Sequence, residues 1–179
     1  MQGFIAGVTR ELESYKKMAE KSIAQVDDDG FFASPGPETN SIAVIVKHMA
    51  GNLRSRWTNF LTEDGEKPDR DRDCEFEIRP GDTRSSMMLA WEDGWRRAFD
   101  ELARLSDADV GRTVMIRWEP TSVLDALHRQ MAHAAYHVGQ ITLLARHYAP
   151  DWQTLSIPIG ASEAFNEKKR QQAEAARTA

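Results

Sequence analysis

Four long stretches of this chain repeat apolar residues every three or four positions, and almost nothing in it alternates with a period of two. Such stripes belong to amphipathic helices that must bury one face against one another. The first runs through Phe4, Val8, Leu12, Tyr15, Ala19, Ile23 and Val26. The second, capped by Asn40 or Ser41 and reaching about Leu61, carries Ile42, Val46, Met49, Leu53, Trp57 and Phe60. The third opens at Asp82 or Thr83 and places Met87, Met88, Trp91, Trp95, Phe99, Leu102 and Leu105 on its inner side. The fourth starts at Pro120-Thr121 and continues to about Tyr148 through Val123, Leu124, Leu127, Met131, Ala134, Val138, Ile141 and Leu144. The pattern predicts an all-α fold, a four-helix bundle forming one domain over residues 1–179. Its core spans about 4–149, and 150–179 form a C-terminal extension. Long segments after the second and third helices leave room for crossover connections.

The interruptions are equally readable. Asp27-Asp28-Asp29-Gly30 has the residues of a helix stop, and Phe31-Phe32 then reads as a loop anchored on the core. From Thr62 to Gly81 the charged run, with its alternating Arg and Asp at 69–77, reads as a solvated surface loop. Thr113–Trp118 is a short β-like segment, either a hairpin or an extended crossover. Pro150 and Pro158 bracket an irregular segment, and a polar last helix with little to bury is predicted over Ser162–Arg177.

Composition narrows the function classes. The 179 residues carry 23 Lys and Arg against 28 Asp and Glu, for a net charge of -5, with the two signs interspersed. Sequence-independent nucleic-acid binding relies on clustered positive charge, so no nucleic-acid partner is expected. No run approaches the roughly 20 apolar residues of a membrane span, and no signal peptide is read at the start. The single cysteine, Cys74, excludes an internal disulfide and a cysteine-rich zinc site, as suits a reducing cytoplasm.

The fourth helix carries His133-Ala-Ala-Tyr-His137-Val-Gly-Gln140. Two histidines four apart project from one helix face and can reach one point beside it. Their neighbours Ala134, Ala135, Val138, Gly139 and Ile141 make the setting mostly apolar. Two imidazoles there without partners cost on the order of several kcal/mol, which a shared metal ligand offsets. A third ligand is available in His48 on the second helix, just outside the edge of that helix's apolar stripe. It shares a flank with Ser41, Asn52, Ser55 and Asn59, polar but uncharged, as on a helix bordering an internal polar cavity. His128 is rotated about 160° from the pair, and His147 lies roughly 15 Å further along the axis than His137, so neither joins one metal with them. Gln140 and Gln130 are placed to orient the ligands or meet a substrate. Three protein ligands leave an open position, the arrangement of a catalytic site.

These residues carry a resemblance. His48-Met-Ala-Gly-Asn52 together with His133-Ala-Ala-Tyr-His137-Val-Gly-Gln140-Ile141 resembles the DinB/YfiT-like family of four-helix-bundle metalloproteins, over most of the chain from the first helix to about Leu144. Asn52-Leu-Arg-Ser-Arg56-Trp57, the Asp-Gly-Glu-Lys-Pro loop and Leu155-Ser-Ile-Pro look like one subgroup of it with no assigned activity. The resemblance implies a bundle of DinB type with a crossover connection and a three-histidine site, which maps to His48, His133 and His137. It implies a divalent transition metal (Zn, Ni, Mn or Fe), a homodimer, and no DNA polymerase activity.

Relatives in that family include thiol S-transferases, which join low-molecular-weight thiols such as bacillithiol, mycothiol or glutathione to electrophiles. A metal with an open position lowers a thiol's pKa, so the protein need not supply a cysteine. Asn52, Arg56 and Gln140 are the substrate-side candidates, with Arg56 able to receive a thiol's carboxylate. Arg54 reads as a solvated helix residue. Metal-assisted hydrolysis ranks lower, since no Glu or Asp neighbours the histidine pair in the sequence. The non-enzymatic alternative is a metal-holding or stress-associated bundle, whose site would be blocked or too shallow for a substrate.

Overall fold

A computed structural model describes residues 3–178. Its elements, in order, are helices α1 (Phe4–Ile23), α2 (Asp28–Phe32), α3 (Ile42–Trp57) and α4 (Arg84–Leu102), strands β1 (Thr113–Ile116) and β2 (Glu119–Ser122), and helices α5 (Val123–Tyr148) and α6 (Ser162–Thr178). The protein is all-α apart from one small hairpin. Helices α1, α3, α4 and α5 fall on the four predicted stripes, and their apolar residues meet in a single core. Leu12, Ile42, Met49, Leu53, Trp57, Trp91, Trp95, Leu127 and Ile141 are among its buried members.

The helix starts follow from local chemistry. The Ser41 hydroxyl accepts from Val44 N–H at 3.2 Å, and the Ser122 hydroxyl accepts from Asp125 N–H at 3.0 Å. Thr83 and Ser86 form a reciprocal capping box. Each satisfies an amide that a helix N-terminus otherwise leaves bare. Gly3, before α1, has no side chain to cap with. Asp107 from the far side of the chain serves instead, accepting from Phe4 N–H and Ile5 N–H at 2.9 Å each.

Several boundaries differ from the predicted ones. Asp27, read with its neighbours as a helix stop, follows the end of α1 but also starts a short helix where Phe31-Phe32 is predicted to be a loop. Its carboxylate accepts from Gly30 N–H at 2.8 Å and caps the short α2, which carries Phe31 into the core. The α3 helix stops at Trp57: Thr58 is extended, and Asn59 after it has a left-handed backbone (φ 52°). Pro120 and Thr121 belong to β2 and not to α5. The 113–118 segment resolves as a hairpin turning at Arg117 and Trp118, both with positive φ (55° and 61°). That is the backbone of a two-residue turn whose twist suits the flanking strands. Neither residue is a glycine, and the Asp64 carboxylate holds the turn by accepting from both amides, at 2.8 and 2.6 Å.

The helix order also differs. The main packing pairs are α3 with α4 and α1 with α5, completed by α3 with α5 and α1 with α4. Among the described residues neither α1 with α3 nor α4 with α5 packs comparably. The connections that cross are therefore 24–41 and 103–122, while the long 58–83 segment joins neighbours. Gly94 allows a close approach of α4 to α3: a Cβ there would lie 3.1 Å from the Ala50 carbonyl oxygen. No helix of the described residues is long and apolar enough to cross a membrane.

Candidate metal centre

The 58–83 segment, of which residues 62–81 are predicted to be a solvated loop, folds over the polar flank of α3. Buried Ser55 docks it, donating to Gly65 C=O at 2.8 Å and accepting from Lys67 N–H at 3.1 Å. Gly65 N–H in turn donates to Met115 C=O at 2.8 Å, tying the segment to the hairpin. A short 3-10 turn at Asp73–Phe76 then presents Glu75 and Phe76 to the same flank. This segment explains why His48 sits off the apolar stripe: it faces the folded segment and α5, and not the core.

His48, His133 and His137 come together across the α3–α5 contact, with ligand-capable atoms all within 4.8 Å of one another. They form a cluster that could hold a metal ion. The Nε2 atoms of His48 and His133 stand 3.2 Å apart. Two nitrogens bound to one tetrahedral ion at about 2.0–2.1 Å are separated by roughly 3.3–3.4 Å, so the spacing fits. Two of the three outer ring nitrogens are engaged as metal-binding histidines ordinarily require. His48 Nδ1 donates to Glu75 Oε2 at 2.9 Å, and His137 Nδ1 donates to Gln140 Oε1 at 2.8 Å. Each bond puts the proton on Nδ1 and leaves the Nε2 lone pair for a ligand. His133 Nδ1 is buried with no hydrogen-bond partner.

Electrostatics favour the neutral form of His133 and His137, the form that binds metal. Burial first, then the neighbouring His137, His48 and Arg56, pushes His133 down to about 3. Burial likewise lowers His137, against the bond to Gln140. Burial pushes Glu75 upward, but its bonds to His48 and Arg70 outweigh this and hold it below the usual carboxylate range. Arg70 grips Glu75 with two bonds, Nε to Oε1 at 2.8 Å and Nη2 to Oε2 at 3.0 Å. Phe76 lies against the His48 ring, with centroids 4.8 Å apart.

Glu75, Arg70 and Gly51 were not foreseen as site residues. A Cβ at Gly51 would stand 2.1 Å from Glu75 Oε1, so the carboxylate occupies the space a side chain would take. The expectation that no acid neighbours the histidines is thus corrected. Glu75 is not a free base, however, since both of its oxygens are taken by His48 and Arg70. Of the foreseen residues, Gln140 bonds His137, and Asn52, Arg56 and Gln130 line a cavity of about 170 Å³ that also reaches His48 and His133. Arg54 is exposed and pairs with Asp69. His128 packs on Phe4 and His147 on Tyr148, away from the cluster. A larger cavity, about 920 Å³, lies between α3, α4 and the 58–83 segment and reaches none of the three histidines.

The fold and site thus define an all-α protein with a three-histidine cluster able to hold a metal. The chain belongs to the family described as a protein of unknown function (DUF1572), whose model matches residues 1–161. No curated protein matches the chain.

Proposed function

We propose that this is a metalloprotein of DinB type, a four-helix bundle holding one divalent transition metal on Nε2 of His48, His133 and His137. In this reading its activity is the transfer of a low-molecular-weight thiol to an electrophile. The observation that carries the reading is the convergence of three imidazoles, two of them oriented by Glu75 and Gln140. The metal would supply a positive charge that lowers the pKa of a thiol brought beside it. The protein's own sulfur is elsewhere: Cys74 bonds Asp71 and Arg79 at the surface side of the 3-10 turn, so the reacting thiol would come from the ligand. His48 and His133 line a cavity, which favours a site that admits a ligand over a blocked, purely metal-holding one. Hydrolysis ranks below transfer because Glu75, the one carboxylate bonded to the cluster among the described residues, is committed to His48 and Arg70. The family resemblance also suggests a homodimer, to be checked by sedimentation.

Metal content of the purified protein, measured by mass spectrometry beside His48→Ala and His137→Ala, tests the centre. About one equivalent in the wild type, lost in both variants, is expected. A metal-free wild type that also takes up no Zn, Ni, Mn or Fe would overturn it. Calorimetric titration of the loaded protein with thiols then tests the ligand: saturable binding that vanishes on metal removal supports transfer, and its absence leaves the metal-holding reading.

A further inference from the structure

The cavity beside His48 and His133 has a wall made of hydrogen-bond donors. Five arginines reach it, Arg56, Arg70, Arg72, Arg117 and Arg129, and no carboxylate lines it. Three are engaged from outside. Arg70 is held by Glu75 and Glu66, Arg117 by Glu66 at 3.1 Å, and Arg72 stands 3.9 Å from Asp73 and lies over the Phe76 ring. Arg56 and Arg129 make no hydrogen bond or ion pair among the described residues. Arg129 is exposed and has water for a partner. Arg56 does not: it is only 8% exposed, its stem pressed against Gly65, where a Cβ would lie 3.0 Å from Cδ. The acid that attracts it, Glu66, is paired with Arg70 and Arg117, and three neighbouring arginines repel it, so a buried guanidinium held this way is disfavoured unless a further anion joins it.

Gln130 provides the second observation. It is 4% exposed, and its Oε1 accepts from Trp57 Nε1 at 3.3 Å. An indole N–H can only donate, so this bond fixes which end of the amide is which. The Nε2 end is left as a buried donor with no acceptor. A buried guanidinium and a buried amide NH2, both unpartnered, therefore share one cavity with the candidate metal ligands.

We propose that this cavity binds an oxyanion, the carboxylate, sulfonate or phosphoryl group of a small molecule, with Arg56 and Gln130 as its anchors. The planar fork of Arg56 suits two oxygens of such a group, and Gln130 Nε2 donates to one of them. The volume sets the size. At about 30 Å³ per water, 170 Å³ holds roughly five or six water volumes, enough for an acidic head group and little more. A ligand anchored there has its remaining part beside His48 and His133. This part of the inference rests on the proposed function, whereas the anion site does not require the metal. Under that reading the preferred thiol is an acidic one.

The test is calorimetric titration with inorganic phosphate, then with 3-mercaptopropionate against its neutral amide. It uses the protein as purified, Arg56→Gln, Gln130→Met and the exposed control Arg54→Gln, with folding checked by circular dichroism and metal content measured in each. Saturable one-to-one phosphate binding is expected, at least tenfold weaker in Arg56→Gln and weakened in Gln130→Met, but unchanged in Arg54→Gln. The acid should bind at least tenfold tighter than the amide. No saturable phosphate binding overturns the proposal. So does binding that survives in a folded Arg56→Gln, since phosphate would then sit on the metal or elsewhere. If Arg56→Gln does not fold, Gln130→Met and the acid-against-amide comparison decide. A metal-free protein that still binds phosphate through Arg56 retains the anion site while the metal reading fails.

Discussion

His48 and Glu75, 27 positions apart in the chain, are joined by a 2.9 Å bond from Nδ1 to Oε2 in which the carboxylate can only accept. The relationship makes Glu75 a positioning residue. It fixes the tautomer of His48 and turns Nε2 toward His133.

Replacing Glu75 by Gln keeps the shape but removes the charge, and loosens the double grip of Arg70. Metal affinity should fall about 10–100-fold, the usual effect of losing such a partner. Competition against a chelator of known affinity reads this directly. An unchanged affinity would mean that His48 needs no orientation by Glu75.

Gly51→Ala makes a sharper case. In a helix interior, alanine is ordinarily favoured over glycine by about 1 kcal/mol. Here the new Cβ would collide with Glu75 Oε1, so the carboxylate must move off His48. The variant should bind metal more weakly than wild type. In a Glu75→Ala background the same change should raise the melting temperature, because the collision is gone. Finding the same effect of Gly51→Ala in both backgrounds would remove Glu75 from the explanation.

The metal-free protein should lose stability on mild acidification. Unfolded, His133 titrates near its ordinary value of about 6.5, whereas folded it is held down to about 3. Between those values the unfolded chain binds a proton that the folded one refuses, so stability falls as pH drops through the window and is flat above it. His137, also lowered, adds in the same direction. Urea unfolding of chelator-treated protein at pH 7.5 and pH 5 should show the loss, and His133→Gln should reduce it. Equal slopes for wild type and variant would contradict this account.

The helices were legible because burial of one face imposes a 3.6-residue period, which survives in the sequence whatever the tertiary detail. The His133/His137 pair was legible for the same reason, and His48 through its place on a polar, uncharged flank. Glu75 and Arg70 were not, because a charged residue in a Gly- and Pro-bounded run looks solvated unless its distant partner is known. Two signals did point that way. A metal-binding histidine ordinarily needs an acceptor for its outer nitrogen, and a glycine inside a helix, as at 51, ordinarily has a packing reason. The start of α5 was misplaced for a local reason. Pro120 suits a helix's first turn, but it also suits a two-stranded ribbon with an open edge, and the Asp64-held turn selects the latter.

Asp107 separates the stability of the fold from that of the site. Its two oxygens satisfy the first two amides of α1, whose own cap position is a glycine, and place a negative charge at the positive end of the helix. Asp107→Ala should therefore cost about 1–2 kcal/mol in urea unfolding, the range for loss of a good N-cap. Asp107→Asn should recover part of this, since the amide oxygen can accept one of the two bonds. The α1 helix packs on α5, but its start lies beside His128 and not beside the cluster. Metal affinity in the folded variants should thus match wild type. A parallel loss of metal binding would instead show that α1 and the histidine cluster are coupled through α5.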